Sequence, residues 1–563
     1  MAFRSQTMLY ILVVCLSLQK VLCRDIFTAY NHMAKLASVE LELHRALGEY
    51  INSEETKLRE LRKFSNEIAS ARQLNLDTGT SLMEYAANPI RAYRMLKRFV
   101  GSWRQMKETM EVNQDLLLAR LRTYKDLMPS EVDLDGALKA IARIQETYRL
   151  PPSYISAGLR KVPTNEEQLG VEDIFTIGRD AYRNEQYLHT KIWMREARRQ
   201  MNGTSYKNGV KMSDILDHLS WVEYKLGNIQ NAVNYTREWL LLEPDHERAQ
   251  TNLIYLQRES ERNMEKIGEK PRKPNARKRK RKRKLKPHQR KRYDYDNFDW
   301  PTERENYKRL CRGDSILTYE EKQNVNKLKC SFFNKDPLLR IKPARMERVW
   351  EKPPLYIFRN FATKEEIEDL KAISEPQLSR ATVHNPTTGV IEFASYRISE
   401  FAWLNDEDGH TVAKINARLG AVTQLDVTTA EGLQVQNYGM AGQYAPHFDF
   451  SRLKLEKARA AKESELKLIK SFGDGNRIAT ALLYMNKAEA GGATVFPYVG
   501  ARLKPSEGDL VFWHNLMRSG DGDFRTRHAG CPIISGTKWV ANKWFHERGQ
   551  EFKRPCGLTP DAE

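Results

Sequence analysis

Seven short runs between Gln434 and His546 constrain this chain more than any other feature. They are Gln434–Tyr438, Gln443–Phe450, Arg477–Met485, Gly491–Pro497, Asp509–Trp513, His528–Ile534 and Lys538–His546, punctuated by Gly, Pro and Asn. Short strands at this spacing predict an antiparallel double-sheet β fold, a jelly roll or double-stranded β-helix. Side chains two apart on a strand share a face, so His447 and Asp449 can reach one ion together. Alternation brings His528, Lys538 and Trp544 to the same inner face. Two imidazoles and one carboxylate occupy one side of a metal and leave positions open, which suits non-heme Fe(II). His-x-Asp alone is a common pattern, and the distant second imidazole is what gives it meaning. An open ferrous site needs a chelating co-substrate. A 2-oxo dicarboxylate chelates through its keto and C1 carboxylate oxygens, and an inward Lys538 can hold the far carboxylate. An ordinary surface lysine is the alternative.

With 563 residues the chain exceeds a single core and suggests about three domains. Residues 1–23 read as a cleaved signal segment: Arg4, an apolar run from Met8 to Leu18, then the small Cys23. That run is too short for a bilayer, and no later segment is long and apolar enough, so a soluble chain in the secretory pathway is expected. From Leu36 an apolar stripe passes through Val39, Leu43, Leu47, Ile51, Leu58, Leu61 and Ile68, one face of a helix that needs a partner. The partner is another part of the chain or a second copy. After Asn88-Pro89, helices are expected around 92–110 and 116–124. This all-α region is taken as 24–165. A tetratricopeptide-type helical domain follows at 166–262. Its signals are Tyr224-Lys-Leu-Gly227 through Ala232 and Tyr235 to Pro244 and Ala249, with a similar shape from Gly178 to Tyr187. Tyrosine-rich faces suit polyproline II peptides, and Tyr182, Tyr187 and Tyr224 are the candidate contacts. Residues 263–300 form a basic linker, with 15 Lys or Arg and no acid between Lys270 and Arg292, supplying most of the +19 net charge. Nucleic acid is not the expected partner given the signal segment. A solvated linker is expected, with an acidic lumenal partner or proteolytic processing as rivals. The catalytic region is 301–563, its core about 350–550. Asn202 and Asn234 are glycosylation acceptors by sequence, and Arg312-Gly-Asp314 is read as coincidental.

Longer motifs carry a resemblance. Tyr438-Gly-x-x-Gly-Gln-Tyr444-x-Pro-His447-Phe-Asp449-Phe, Gly-Asn-Arg477-Ile-Ala-Thr, Gly-Gly-Ala-Thr494-Val-Phe-Pro, Thr-Arg-His528-Ala-x-Cys531-Pro and Lys538-Trp-Val-x-Asn-Lys-Trp544-x-His546 resemble the collagen prolyl 4-hydroxylase α subunit. The similarity covers essentially the whole mature chain. It implies 4-hydroxylation of proline in Xaa-Pro-Gly sequences of procollagen-like chains. That reaction is coupled to oxidative decarboxylation of 2-oxoglutarate by O2, with ascorbate as rescuing reductant. It implies His447, Asp449 and His528 as iron ligands and Lys538 on the C5 carboxylate. Tyr438 and Thr494 add hydrogen bonds, Trp544 forms part of the pocket, and His546 orients 2-oxoglutarate or peptide. Arg477 and Tyr444 line the peptide channel. Tyr438 and Trp544 as core aromatics, and Arg477 as an ion-pair partner, stay open.

The resemblance further implies disulfides Cys311–Cys330 and Cys531–Cys556, with zinc ligation of Cys531 as a rival. It makes the N-terminal domain a self-association module. It also implies protein disulfide isomerase as the β subunit of an α2β2 tetramer, a partner that would hold a chain ending without a retrieval signal in the endoplasmic reticulum lumen. Two departures stand out. A charge-rich helical run at 453–469 follows the first ligands, and His514 stands where the family often has Tyr, read as a solvated loop histidine. The same chemistry on other proline-rich secreted proteins, and a non-catalytic proline-rich-peptide scaffold, are the alternatives.

Overall fold

In a computed structural model, the described residues are 30–77, 103, 106, 122–123, 131–159, 168–207, 209–268, 300–325, 329–384, 391–393, 397–439, 441–451 and 474–559. The expected signal segment, the basic run 270–292, the charged run 453–469 and nearly all of the helices expected at 92–110 and 116–124 lie outside them. Contacts divide the chain into two units, essentially 1–130 and 131–563. In the first, α1 (Tyr30–Asp77) runs for 48 residues. Val39 and Ala46, two turns apart, are buried, as is Phe64, whose ring meets Trp103 edge-on at 5.0 Å. Leu47, Ile51 and Leu58 of the expected stripe stay exposed.

The second unit begins with α2 (Glu131–Tyr148) and continues with α3 (Val171–Arg183), α4 (Tyr187–Met201), α5 (Met212–Lys225), α6 (Ile229–Leu242) and α7 (Glu247–Gly268). Each helix of α3 to α7 packs on the next. Ile174, Ile177 and Ala181 lie three and four apart on α3, one apolar stripe, and bury against Trp193, Met194 and Ala197 of α4. Gly178 lets the Met194 side chain come within 3.0 Å of where a Cβ would stand. Among the described residues no helix is long and apolar enough to cross a membrane.

Helix α2 joins the array to the β region. Leu138 and Ile141 pack on the array, while Ala140 and Ile144 pack with Ala441. Gln145 accepts the Trp193 indole N–H at 2.8 Å, Arg143 donates to the Ala441 carbonyl at 3.0 Å, and the Tyr148 hydroxyl donates to the Pro532 carbonyl at 2.6 Å.

The β strands follow helix α8 (Trp300–Arg312). They are β1 (Cys330–Phe333), β2 (Ala344–Trp350), β3 (Leu355–Arg359), β4 (Ser379–Arg380), β5 (Glu400–Leu404), β6 (Leu433–Tyr438), β7 (Tyr444–His447), β8 (Arg477–Tyr484), β9 (Thr494–Phe496), β10 (Ala501–Leu503), β11 (Leu510–His514), β12 (His528–Gly530) and β13 (Lys538–His546). A nine-stranded sheet has the order β1-β2-β3-β11-β8-β13-β6-β5-β4, and a four-stranded sheet the order β7-β12-β9-β10. All their pairings are antiparallel.

Alternation explains why the central strands read as unbroken apolar runs. Ala479, Ala481 and Leu483 of β8, and Trp539, Ala541 and Phe545 of β13, face helices α9 (Lys364–Ser374) and α10 (His410–Thr423) through Ile367, Leu370, Val412 and Ile415. The intervening Leu482, Tyr484 and Val540 face Phe496, Ala501 and Leu503 of the smaller sheet. Both sides of the large sheet are covered, so both residue parities are apolar. The sheet-rich region over a helical N-terminal half is the architecture expected, consistent with a jelly roll.

The disulfide pairing is not the expected one. Cys311 is bonded to Cys531, their Cα atoms 5.6 Å apart across 220 residues, while Cys330 and Cys556 are free and exposed. The apolar face of α8 decides this. Tyr307, Leu310 and Cys311 bury against Ala493, Val495 and Ala529, which seats Cys311 beside Cys531, the residue that follows β12. Cys330 starts an exposed edge strand instead. Cys531 therefore has no thiolate to offer zinc.

Candidate active site

Strands β7 and β12 pair with His447 directly opposite His528, and Asp449 returns to the same face two residues on. The His447 Nε2 lies 3.4 Å from Asp449 Oδ1, and the His528 Nε2 lies 3.6 Å from Asp449 Oδ2. The three ligand atoms lie within 4.8 Å of one another. Each imidazole turns Nδ1 to a backbone carbonyl, His447 to Ala445 at 2.9 Å and His528 to Thr526 at 3.1 Å. Donation there places the lone pair on Nε2, facing the carboxylate. Asp449 Oδ2 accepts from the Thr480 hydroxyl at 2.7 Å, and that oxygen accepts from Asn515 at 2.8 Å. Burial works against ionisation of Asp449, but His528, His447 and Arg477 together hold its carboxyl well below the ordinary range. Burial pushes His528 down to about 4, which keeps it in the neutral form that binds metals. Two imidazoles and a carboxylate, each oriented from behind and converging on one point, fit a ferrous ion held on one face.

Next to this set lies an unanswered positive charge. Lys538 begins β13 in register with Tyr438 and is only 4% exposed. Burial pushes its ammonium down to about 8, and among the described residues no acid pairs with it. Its Nζ stands 5.2 Å from the Tyr438 ring and 5.4 Å from the Tyr484 ring. A Cβ built on Gly530 would meet this nitrogen at 3.7 Å and the Tyr438 hydroxyl at 3.9 Å, so the missing side chain leaves a cradle. Gly530 is two residues beyond His528, about 7 Å along a strand, the reach of a short dicarboxylate. Thr494 faces Gly530 in register and shares a hydrogen bond with the Tyr484 hydroxyl. A buried cation without an acid partner among the described residues, the hydroxyls of Tyr438, Tyr484 and Thr494, and the cradle left by Gly530 fit the far end of 2-oxoglutarate.

Three family models match the chain. They describe the prolyl 4-hydroxylase alpha-subunit N-terminal region over residues 29–161, the prolyl 4-hydroxylase peptide-substrate-binding domain over 171–261, and the 2OG-Fe(II) oxygenase superfamily over 433–546. The chain is 39% identical over 541 residues to prolyl 4-hydroxylase subunit alpha-2 of Gallus gallus, covering 95% of this chain and 96% of the relative. It is 38% identical over 557 residues to subunit alpha-1 of Bos taurus, covering 98% and 99%, and 35% identical over 558 residues to subunit alpha-2 of Caenorhabditis elegans, covering 98% and 97%. The chain belongs to the prolyl 4-hydroxylase α-subunit family.

Around the metal set of this prolyl 4-hydroxylase α chain lies a charged ring that the sequence reading resolved only in part. Arg477 is ion-paired. Its guanidinium grips Glu431 through Nε and through Nη2 at 2.7 Å, and lies 4.0 Å from the Trp544 ring centroid. His546 also turns to Glu431, Nε2 to Oε1 at 2.9 Å, while its Nδ1 meets the Gly475 carbonyl at 2.8 Å. Glu431 is thus the hub, and it was missed because one acid in Ala-Glu-Gly carries no pattern. Trp544 stands opposite Thr480, six residues and about 20 Å along β13 from Lys538, so it flanks the metal end of the site and not the ammonium end. Tyr444 stacks on His447 at 3.5 Å and is partly buried. Tyr484 was also missed. Its signal was its place on the same face of β8 as Thr480. His514 is no loop histidine: it ends β11, partly buried, and burial with Arg554 and Arg518 nearby pushes it down to about 3. It lies outside the ligand set.

In the peptide-binding helices, Tyr182 meets His218 edge-on at 5.0 Å, and Phe175 meets the same imidazole at 5.4 Å. Tyr224 shares a hydroxyl hydrogen bond of 2.6 Å with Tyr255 and packs on Trp221. Tyr187, at the start of α4, is half exposed. Phe175, His218, Trp221 and Tyr255 extend the predicted tyrosines into one aromatic face across α3, α5 and α7. Asn202 sits in an exposed left-handed turn at the end of α4. Asn234 lies within α6, and Thr236 of its acceptor sequence is buried with its hydroxyl bonded to the Ala232 carbonyl.

Proposed function

We propose that this chain 4-hydroxylates proline in Xaa-Pro-Gly sequences of collagen-like polypeptides, consuming 2-oxoglutarate and O2 and releasing succinate and CO2. The carrying observation is the convergence of His447, Asp449 and His528 one strand step from the buried Lys538, which no acid pairs with among the described residues. Those three residues would hold ferrous iron and leave its opposite side open to ligands. Bound iron supplies the one-electron chemistry that couples decarboxylation of the 2-oxo acid by O2 to oxidation of a C–H bond. Lys538 receives the C5 carboxylate in a dry site where its charge counts heavily, and Tyr438, Tyr484 and Thr494 fix that carboxylate's direction. Thr480 and Asn515 fix the Asp449 rotamer, and the paired Arg477, Glu431 and His546 hold the metal-end wall rigid. Tyr444, partly buried and stacked on His447, is placed to meet the peptide. The helices over 171–261 hold the proline-rich chain while single prolines visit the iron.

The same proposal places the chain in the endoplasmic reticulum lumen, with protein disulfide isomerase as the second subunit of an α2β2 assembly and ascorbate as the rescuing reductant. Its support is the signal-like N-terminus, family membership and the Cys311–Cys531 bond, which an oxidising compartment favours. Co-expression with the isomerase, followed by assay of 4-hydroxyproline in (Pro-Pro-Gly)n and of succinate, tests it. Both products should depend on added iron and 2-oxoglutarate. His528→Ala should bring both to background without changing peptide affinity. Hydroxylation surviving that change would remove the metal assignment.

A further inference from the structure

The aromatic face of the peptide-binding helices contains one group that is not simply a ring. His218 on α5 sits between Phe175 and Tyr182 of α3, at 5.4 and 5.0 Å and steep angles of 81° and 73°. Its Nδ1 lies 2.7 Å from the Asp214 carbonyl, which only accepts, so Nδ1 carries the proton. The lone pair of the neutral ring is then on Nε2, which has no partner among the described residues, and the side chain is partly exposed. Of the neighbouring charges, Asp217 pairs with Arg248 of α7. One turn on, Trp221 and Tyr224 continue the face toward Tyr255. An aromatic face that adds a directed imidazole acceptor to its tyrosine hydroxyls asks for a ligand that is apolar and flat almost everywhere and offers occasional N–H donors.

A polyproline II helix makes no internal backbone hydrogen bonds. An all-proline chain has no N–H at all, whereas each Pro-Pro-Gly triplet brings one, on glycine. We propose that His218 is a specificity-determining residue of this face: its Nε2 accepts a backbone N–H of a collagen-like repeat, selecting Pro-Pro-Gly sequences over an all-proline helix. This rests on the reading of residues 171–261 as the peptide-binding part of the chain. Against an all-proline ligand the acceptor would be desolvated without a partner, so the discrimination is that of one hydrogen bond, on the order of five-fold in affinity.

The test uses the full chain co-expressed with the isomerase, and measures Kd for (Pro-Pro-Gly)n and for poly-L-proline of equal length. The unaltered chain should prefer (Pro-Pro-Gly)n by about five-fold. His218→Phe keeps a ring and removes the acceptor, and should bring the two affinities together. His218→Gln keeps an acceptor and should retain the preference. Equal affinities in the unaltered chain, or a preference undiminished in His218→Phe, overturn the assignment to His218. A chain carrying Tyr182→Ala and Tyr224→Ala separates the two readings. Loss of both peptides there keeps the face as the binding site whatever His218 does. Undiminished binding of both would move the peptide site elsewhere and take this proposal with it.

Discussion

Lys538 keeps its proton at neutral pH against its surroundings, because burial pulls it down to about 8 and no acid among the described residues answers it. An unfolded lysine titrates near 10.4, so between about 8 and 10 the unfolded chain binds more protons than the folded one. The resulting penalty, on the order of 3 kcal/mol, is fully present below pH 8 and fades as pH rises toward 10. A dicarboxylate in the cradle would relieve it. Lys538→Met should therefore raise the unfolding temperature of the unliganded catalytic region by a few degrees in calorimetry, while weakening 2-oxoglutarate by on the order of 100-fold or more. For the unaltered chain, titration calorimetry above pH 8 should show 2-oxoglutarate affinity falling, approaching ten-fold per pH unit as the ammonium is lost. A flat profile between pH 7 and 9.5 would sink the assignment of this lysine to the carboxylate.

At the scale of elements, β12 carries the site on alternate residues: His528 for the metal, then Gly530 for the space before Lys538. A methyl at Gly530 would make ordinary contacts of 3.6 to 3.9 Å with Tyr444, Lys538 and Tyr438, so the strand should tolerate it. Gly530→Ala is expected to fold normally by circular dichroism and to raise the KM for 2-oxoglutarate by roughly ten-fold, since displacing one well-placed carboxylate contact is worth about 1.4 kcal/mol. Gly491 behaves differently. Its φ is +81°, and a Cβ would stand 2.4 Å from the Pro532 carbonyl, backbone that has nowhere to go. Gly491→Ala should break the pairing of Ala490–Gly491 with Ile533–Ser535 and cost about 3 kcal/mol or more, seen as loss of soluble chain on expression. The strands themselves were legible from alternation and turn residues. The partners of Glu431 and Tyr484 were not, because register across a sheet is set by packing of distant segments.

For the molecule as a whole, the Cys311–Cys531 bond closes a loop of 220 residues and ties α8 to the strand that holds His528. Chain entropy alone makes such a link worth roughly 5 kcal/mol. Native alkylation without reductant should label Cys330 and Cys556 and spare Cys311 and Cys531, as peptide mapping would show. Cys330→Ser and Cys556→Ser should keep succinate release near the unaltered level, whereas Cys311→Ser should cut the yield of folded chain sharply. Labelling of Cys311 in the native state would refute the pairing. Helix α2 adds a second tie, since one side packs on the helical array and the other donates to the Ala441 and Pro532 carbonyls beside the site.

Residue type and local period pointed to the double-sheet fold class, the helical repeats and a shared inner face for His447, Asp449 and His528, while the family resemblance, and not spacing, assigned these three to iron and chose the inward reading of Lys538 over a surface one. The fold class and the repeats need only the alternation of a strand and the face of a helix, which are short-range, and the pairing of His447 with the distant His528 rests on ligand chemistry and the resemblance. Tertiary structure alone decided that Cys311 meets Cys531 and not Cys330, that Arg477 and His546 converge on Glu431, and that His514 ends a strand. Each of these is a choice among chemically equivalent partners, made by burial of apolar faces far apart in the chain, and no local pattern records it.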